Sequence, residues 1–393
     1  MGLRSDLADP RIARRITDDI RRLAGRIPRR VRIMEVCGTH TVSLRRSGIH
    51  SLLPENVSLI SGPGCPVCVT PTGYIDNALR LADEKDVLIA TFGDMLKVPG
   101  REGRSLSDLA SERRVRILYS PAELPRLASE TNGPVVFLGI GFETTIPTVA
   151  SVFLQARRSE ISNLYLYTAF KTVPGALKAL LADPEHRIDG FLLPGHVSVI
   201  IGRRAYLFLE RQGGVPGVIA GFEPVDMLLG ISRLLAQLAS SREGARTESG
   251  YPRVENAYPR AVREDGNGKA RAVMDELLEP RDDRWRGLGM IPASGMGLRP
   301  EHRALDAAVV FGLPEPESYD PPGCLCARVI QGKAVPPECG LFGTRCTPDR
   351  PVGPCMVSSE GTCAAYLRYG DPARVHGSGG GGAGDGAQRH EAG

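Results

Sequence analysis

From residue 31 onward, short apolar runs rich in β-branched residues alternate with stretches of helical periodicity. The eight runs occupy residues 31–37, 57–61, 86–92, 115–119, 135–140, 163–169, 189–193 and 215–220. The helical stretches lie near residues 41–53, 74–85, 105–113, 121–130, 147–158, 175–182, 202–212 and 224–241. Alternation of this kind predicts a parallel sheet covered by helices. Because the runs are almost wholly apolar, we expect strands that are buried on both faces.

Eight such units could close into one (β/α)₈ barrel or form two doubly wound parallel-sheet domains. The spacing of the runs is irregular, and Asn132-Gly133-Pro134 interrupts the pattern halfway. We therefore predict an α/β protein with two domains of similar build, residues 30–130 and 131–245. An N-terminal segment, residues 1–29, precedes them and contains an amphipathic helix near residues 3–27.

The remainder of the chain has less regular patterns. Residues 243–271 are polar and are broken by prolines, which is typical of a surface connector. We predict a helix near residues 271–279 and a loop at residues 289–295. Residues 246–376 then form a connector and a small cysteine-rich domain. The glycine-rich residues 377–393 have the composition of a disordered tail.

Composition limits the function classes. The net charge is only +4, there is one tryptophan, and no basic block is interleaved with aromatic residues. Nucleic-acid binding is therefore disfavoured. No apolar run approaches the ~20 residues that span a bilayer, and no secretory signal is visible. We expect a cytoplasmic protein, in which nine cysteines indicate metal or redox chemistry rather than structural disulfides.

Reactive side chains follow several predicted strands. Cys37 ends the first run and His40 follows it, Asp94 comes after the third run and Glu143 after the fifth. Carboxyl ends of parallel strands form the ligand crevice of open α/β sheets. A thiol and an imidazole three residues apart can share a soft metal, or the imidazole can lower the thiol pKa. A buried structural cysteine is the alternative for Cys37.

Cys65-Pro66-Val67-Cys68 is a Cys-x-x-Cys pair after the second run. At a helix N-terminus such a pair is redox-active, because the helix dipole and the neighbouring thiol lower the first pKa. Half of a zinc knuckle is the alternative. We favour the redox pair, since no second Cys-x-x-Cys is present to complete a knuckle.

The C-terminal part of the chain concentrates the remaining thiols. Six of the nine cysteines lie there: Cys324, Cys326, Cys339, Cys346, Cys355 and Cys363. The segment has too few apolar residues for a core of its own, so we expect a metal or a cluster to stabilise it. Zinc sites usually show Cys-x-x-Cys knuckles, which this segment lacks. A thiolate-bound iron–sulfur cluster with two spare thiols fits the count better than zinc.

Taken together, these motifs resemble those of the HypD family, which takes part in [NiFe]-hydrogenase maturation. The matching strings are Glu35-Val36-Cys37-Gly38-Thr39-His40-Thr41, Gly62-Pro63-Gly64-Cys65-Pro66-Val67-Cys68, Phe92-Gly93-Asp94-Met95, Gly141-Phe142-Glu143-Thr144-Thr145, Pro194-Gly195-His196-Val197-Ser198, and the cysteine block from Leu341 to Cys363. The resemblance extends from about residue 10 to residue 372. It implies two α/β domains and a small domain that holds a [4Fe–4S] cluster.

The resemblance also implies a role for the chain. It would act with a HypC-type small partner as a scaffold on which the Fe(CN)₂CO unit of the hydrogenase is built, with cyanide supplied by a HypE-type protein. The hydrogenase large subunit would be an indirect partner. Two other functions stay open at this stage. One is a cluster-dependent thiol–disulfide oxidoreductase, and the other is a zinc-stabilised interaction protein.

Individual positions take roles from the same resemblance. Cys37 would bind the iron with His40 beside it. Asp94 and Glu143 are expected as neighbours of Cys37 from their own positions at strand ends. Cys65 and Cys68 would be a redox dithiol that a nearby cluster supplies with electrons, as in ferredoxin:thioredoxin reductase. The cluster ligands would be Cys324, Cys339, Cys346 and Cys363. Cys326 and Cys355 would be the spare pair.

Overall fold

The computed structural model describes residues 9–240, apart from residues 85, 111 and 113, and residues 253–370. Its strands are β1 Val31–Glu35, β2 Val57–Ser61, β3 Leu88–Phe92, β4 Val115–Leu118, β5 Val135–Gly141, β6 Leu164–Lys171, β7 Gly190–Pro194, β8 Gly217–Ala220, β9 Val254–Asn256, β10 Leu278–Trp285 and β11 Gly289–Leu298. All eight predicted runs are confirmed as strands. The protein is therefore α/β, with sheets that are mainly parallel.

Helices follow most of the strands. They are α1 Pro10–Ala24, α2 Gly38–Arg46, α3 Ile49–Leu52, α4 Pro66–Val69, α5 Thr72–Glu84, α6 Leu106–Ala110, α7 Leu124–Ser129, α8 Ile146–Arg158, α9 Val173–Ala182, α10 Gly195–Ile201, α11 Pro224–Ser240, α12 Gly268–Leu277, α13 Ala307–Val310, α14 Cys326–Ile330, α15 Pro354–Val357 and α16 Thr362–Tyr369. Short 3₁₀ turns occur at Gly93–Met95, Pro121–Glu123, Arg203–Tyr206, Pro300–Leu305 and Pro336–Glu338, and a π-turn at Leu209–Gly213. Within the described ranges, none of the helices combines the length and the apolar character needed to cross a bilayer.

Two sheets organise the molecule. The first has the strand order β2-β1-β7-β8-β9 and is parallel throughout. The second has the order β10-β11-β6-β5-β3-β4. Its four strands β3 to β6 are parallel, and the β10–β11 hairpin adds antiparallel strands beside β6. Strand β5 is buried at all seven positions, as expected for a central strand covered on both faces.

The strand pairing corrects the predicted boundary at residue 130. Strands β1 and β2 join β7 and β8, for example through the pairing of Ile33 with Gly190. Strands β3 and β4 join β5 and β6, with Leu88 opposite Val135. Each sheet therefore takes strands from both predicted domains. Local apolar patterns identify strands, but they do not determine which strands pair, because parallel neighbours are joined by long crossovers.

Two predictions for the C-terminal half also need correction. The predicted surface connector contains β9, an edge strand of the first sheet, and the loop predicted at residues 289–295 lies inside β11. Prolines and glycines obscured these strands, although edge and hairpin strands tolerate both residue types. The helix predicted near residues 271–279 is confirmed as α12. The predictions for residues 1–8 and for the tail lie outside the described residues.

Helix α1 confirms the predicted N-terminal helix over Pro10–Ala24, and residues 3–8 of that prediction lie outside the described residues. It begins at Pro10 because the Asp9 carboxylate accepts a 2.8 Å hydrogen bond from the Arg11 backbone N–H, which caps the helix. Its apolar face packs against α11, and its arginines remain in solvent, as the sequence predicted.

The cysteine-rich part of the chain has little regular structure and lies against the first half of the molecule. Helix α16 packs on α2, and helix α15 packs on α4. The Arg45 guanidinium stands 3.2 Å above the centroid of the Tyr366 ring, which ties α2 to α16. These contacts place the C-terminal cysteines beside the helices that follow β1 and β2.

Candidate thiol and metal site

Cys37 occupies the turn between β1 and α2. It precedes the first residue of α2 in an extended conformation, and the Gly38 N–H donates a 2.9 Å hydrogen bond to the Gly64 carbonyl. The Gly62 N–H donates to the Glu35 carbonyl at 2.8 Å. A Cβ atom at Gly64 would collide with the Cys37 backbone. The turns after β1 and β2 are therefore packed backbone to backbone, and this fixes the position of the thiol.

The surroundings of Cys37 keep its thiol protonated. Burial raises the pKa of this thiol to about 11, and the nearby Glu360 carboxylate acts in the same direction. The backbone N–H groups of His40 and Thr39 oppose this shift. A metal bound at Cys37 would have to displace the proton, so binding would be coupled to proton release.

His40 lies in the first turn of α2 and is fully buried. Its Nε2 is 2.9 Å from the Gly221 carbonyl, which can only accept, so Nε2 carries the proton. Burial lowers the pKa of His40 to about 4, so the ring is neutral. Nδ1 is buried and has no hydrogen-bond partner among the described residues. The structure thus gives His40 one anchored nitrogen and one free lone pair.

Glu143 is buried after β5. Its Oε1 accepts a 3.0 Å hydrogen bond from the Val173 N–H at the start of α9, whereas Oε2 has no partner within the described ranges. Burial raises the pKa of Glu143 to about 7. Burial raises the pKa of the Tyr206 phenol, and Glu143 and Cys37 act in the same direction, which indicates that both lie near this ring.

Asp94 has a different set of contacts from the one the sequence suggested. It follows β3 and accepts hydrogen bonds from Ser358 Oγ at 2.9 Å, Ser359 N at 3.2 Å and Ser359 Oγ at 3.1 Å. It thus anchors the cysteine-rich segment. Glu360 follows directly and accepts a 2.6 Å hydrogen bond from Thr39 Oγ1. Asp94 therefore reaches the Cys37 turn through this loop.

Cys65 and Cys68 form a disulfide, with their Cα atoms 5.3 Å apart. Cys65 precedes α4, and its sulfur accepts a 3.2 Å hydrogen bond from the Cys68 N–H. Both residues are buried. A sulfur at a helix N-terminus that accepts a backbone hydrogen bond is stabilised as a thiolate once the disulfide opens.

The C-terminal thiols converge. Five of the six line one small, mainly apolar pocket, called here the cavity: Cys324, Cys326, Cys339, Cys346 and Cys363. Apolar side chains such as Leu341, Phe342 and Met356 complete the lining. Cys355 is fully buried and does not line it, and thiol hydrogen bonds connect Cys326 with Cys324, Cys355 and Cys363. The two cysteines predicted as the spare pair therefore differ in position: Cys326 lines the cavity, and Cys355 is buried outside its lining.

The donor set suits an iron–sulfur cluster. Thiolates in an apolar, water-poor cavity are the usual ligands of such clusters. In the part of the chain that the structure describes, no three His, Cys, Asp or Glu side chains already surround one metal-ion position. The four predicted ligands, Cys324, Cys339, Cys346 and Cys363, all line the cavity, and their assignment stays a prediction.

Comparison with known proteins identifies the family. The HypD model, described as the hydrogenase formation hypA family, matches residues 11–370. The chain belongs to the HypD family. It is similar to the hydrogenase maturation factor HypD of Escherichia coli K12, with 43% identity over 87% of this chain and 90% of the relative. The HypD proteins of Azotobacter vinelandii and Rhodobacter capsulatus are 44% and 40% identical, over 89% and 94% of this chain and 94% and 98% of their own lengths.

Sequence reasoning missed two acidic residues of this HypD-family site. Glu35 is buried, and its Oε1 accepts a 2.8 Å hydrogen bond from Ser61 Oγ while Oε2 has no partner among the described residues. Burial raises the pKa of Glu35 to about 7. A carboxylate inside an apolar run was the available signal. Glu360 gave no such signal, because only the tertiary structure brings it to Thr39.

Proposed function

We propose that this chain is a cytoplasmic scaffold that works with a HypC-type partner to assemble the Fe(CN)₂CO unit of [NiFe]-hydrogenase. The relatives named above are hydrogenase maturation factors. The observation that carries the proposal is the convergence of three thiol groups. The Cys37 turn is braced by the loop before Cys65, and α15 and α16 of the cysteine-rich segment pack on α4 and α2.

In this proposal Cys37 binds the iron that is the cargo of the scaffold. An iron with cyanide and carbonyl ligands prefers a soft thiolate donor. Cys37 is held by backbone contacts of two strand ends, which suits a site that needs fixed geometry. Nδ1 of His40 and Oε2 of Glu143 are buried polar atoms without a hydrogen-bond partner among the described residues. The remaining iron ligands would come from the HypC-type partner and from cyanide that a HypE-type protein delivers, before transfer to the large subunit.

The other thiols supply redox chemistry. Four of the six C-terminal cysteines, Cys324, Cys339, Cys346 and Cys363, would hold a [4Fe–4S] cluster, which supplies one-electron transfer when it is bound. Cys65 and Cys68 would cycle between disulfide and dithiol, and opening of the disulfide takes up two electrons and two protons. Cys355 lies on α15, which packs on the helix that carries Cys68. Its position between the cavity and α4 fits a relay thiol.

Infrared spectroscopy of the complex with the HypC-type partner tests the iron site. The native complex should show CN and CO stretching bands. Cys37→Ala should abolish the bands and leave the brown colour of the C-terminal cluster unchanged. His40→Ala should weaken them, because an orienting neighbour is lost and the thiolate is kept. Undiminished bands in Cys37→Ala would place the iron elsewhere.

A cluster-dependent thiol–disulfide oxidoreductase is the second candidate, and the buried disulfide of Cys65 and Cys68 favours it. Turnover of a disulfide substrate without a partner protein or bound iron would support this candidate. A zinc-stabilised interaction protein would instead contain zinc and neither iron nor acid-labile sulfide.

A further inference from the structure

The buried guanidinium of Arg286 lies between α4, the helix that carries Cys68, and the cysteine-rich segment. Arg286 follows β10 in the hairpin turn, and its side chain is only 2% exposed. Its backbone N–H donates a 2.7 Å hydrogen bond to the Val69 carbonyl, and Nη1 donates to Thr72 Oγ1 at 3.1 Å. Val69 ends α4, the helix that carries Cys68. One side of Arg286 is therefore attached to the dithiol helix.

The same turn contacts the cysteine-rich segment. Arg286 Nε donates a 3.0 Å hydrogen bond to Asp320 Oδ1, four residues before Cys324. The next residue, Gly287, lies so close to Ala327 that a Cβ atom would crowd it, and its carbonyl accepts from Gln331 Nε2. Ala327 lies on α14, which begins at Cys326, and Gln331 directly follows that helix. The Arg286–Gly287 turn is thus attached to α4 on one side and to the cysteine-rich segment around Cys326 on the other.

The charge of Arg286 is not fully used by its partners. Nη2 is buried and has no hydrogen-bond partner among the described residues. Asp320 is 35% exposed, so water weakens its hold on the guanidinium. Arg286 is therefore a buried charge with one unused N–H group, in a turn that packs against α14, the helix that begins at Cys326.

We propose that the Arg286–Asp320 ion pair sets the reduction potential of the cluster held by the C-terminal thiolates, with Arg286 favouring the reduced state. One-electron reduction adds one negative charge to the cluster, and a buried cation nearby stabilises that charge. Asp320 opposes this effect. The inference rests on the proposed function for the existence of the cluster. The role of Arg286 in it is electrostatic.

The test is a redox titration of the full-length protein with its cluster, followed by electron paramagnetic resonance. Arg286→Met leaves Asp320 unbalanced, so the ratio of reduced to oxidised cluster at a fixed potential should fall about tenfold, which is about 59 mV for one electron. Asp320→Asn should shift the ratio in the opposite direction. Arg286→Lys should stay within about threefold of the native protein, and Arg328→Met, an exposed charge on α14, within about twofold.

Arg286→Met and Asp320→Asn should shift the ratio of reduced to oxidised cluster in opposite directions if the effect is electrostatic. If the substitutions only loosened the structure, both variants would shift the ratio in the same direction. Shifts of the same sign, or shifts below about twofold in both, would overturn the assignment. If Arg286→Met does not fold, Asp320→Asn alone must raise the ratio. A native protein that contains no cluster would instead contradict the proposed cofactor, and iron and sulfide analysis distinguishes that case.

Discussion

Thr39 and Glu360 are joined by a hydrogen bond of 2.6 Å between Thr39 Oγ1 and Glu360 Oε1, although they are 321 residues apart. Thr39 lies in the first turn after Cys37, and Glu360 lies in the loop between α15 and α16. This bond places a carboxylate of the cysteine-rich segment against the proposed iron ligand. Glu360 and Asp94 thus connect the two regions on which the proposed function depends.

This contact predicts how Cys37 reacts. Glu360→Gln keeps the hydrogen bond to Thr39 but removes the negative charge, so the pKa of the Cys37 thiol should fall toward its ordinary value. Alkylation of Cys37 at pH 8, followed by mass spectrometry of its peptide, should be several-fold faster than in the native protein. Thr39→Ser is the control, because it retains both the hydroxyl and the carboxylate. An unchanged rate in Glu360→Gln would show that burial alone controls the thiol.

The cavity predicts which cysteines bind the cluster. Cys346 lines it, and Cys355 does not. Cys346→Ala should bleach the brown anaerobic protein and destabilise the segment, because metal binding there is coupled to folding. Cys355→Ala is the matched variant and should keep its colour and its iron content. A coloured Cys346→Ala protein would remove that residue from the ligand set.

The sequence identified strands and reactive residues better than it identified their partners. Cys37, Cys65 and Glu143 follow buried strands as predicted, because apolar runs and glycine turns are local signals. Asp94 was predicted beside Cys37, yet it binds Ser358 and Ser359. The pairing of β1 with β7 and the contact of Glu360 with Thr39 depend on packing between distant parts of the chain. No local pattern records such contacts.

Cys65 and Cys68 should undergo a two-electron transition. Thiol trapping at controlled potentials should give one dithiol–disulfide step in the native protein and none in Cys65→Ser. After reduction, Cys65 should be alkylated before Cys68, because its sulfur accepts the Cys68 N–H and lies at the start of α4. If both thiols remain unmodified at every potential under unfolding conditions, the pair is locked as a disulfide and its redox role is wrong.

The buried carboxyl group of Glu143 should make stability depend on pH. Its pKa is raised to about 7 in the folded protein, whereas the ordinary value is 4.5. The folded state therefore binds the proton more tightly than the unfolded state. The stabilisation is fully present below pH 4.5 and is lost as the pH rises through 7. The difference corresponds to about 3 kcal/mol in the free energy of unfolding.

Glu143→Gln keeps the shape of the side chain and cannot ionise, so this loss should disappear. Relative to the native protein, the variant should gain about 2.5 kcal/mol of stability between pH 5 and pH 8, because part of the loss already occurs below pH 5. Unfolding by denaturant at both pH values measures the gain.

The matched control is Glu223→Gln. The string Gly221-Phe222-Glu223 after β8 repeats Gly141-Phe142-Glu143, and Glu223 is exposed. Its stability difference from the native protein should be the same at both pH values. If the stability difference between Glu143→Gln and the native protein is also the same at pH 5 and pH 8, Glu143 is already ionised in the folded protein at pH 5. The prediction from its raised pKa would then be wrong.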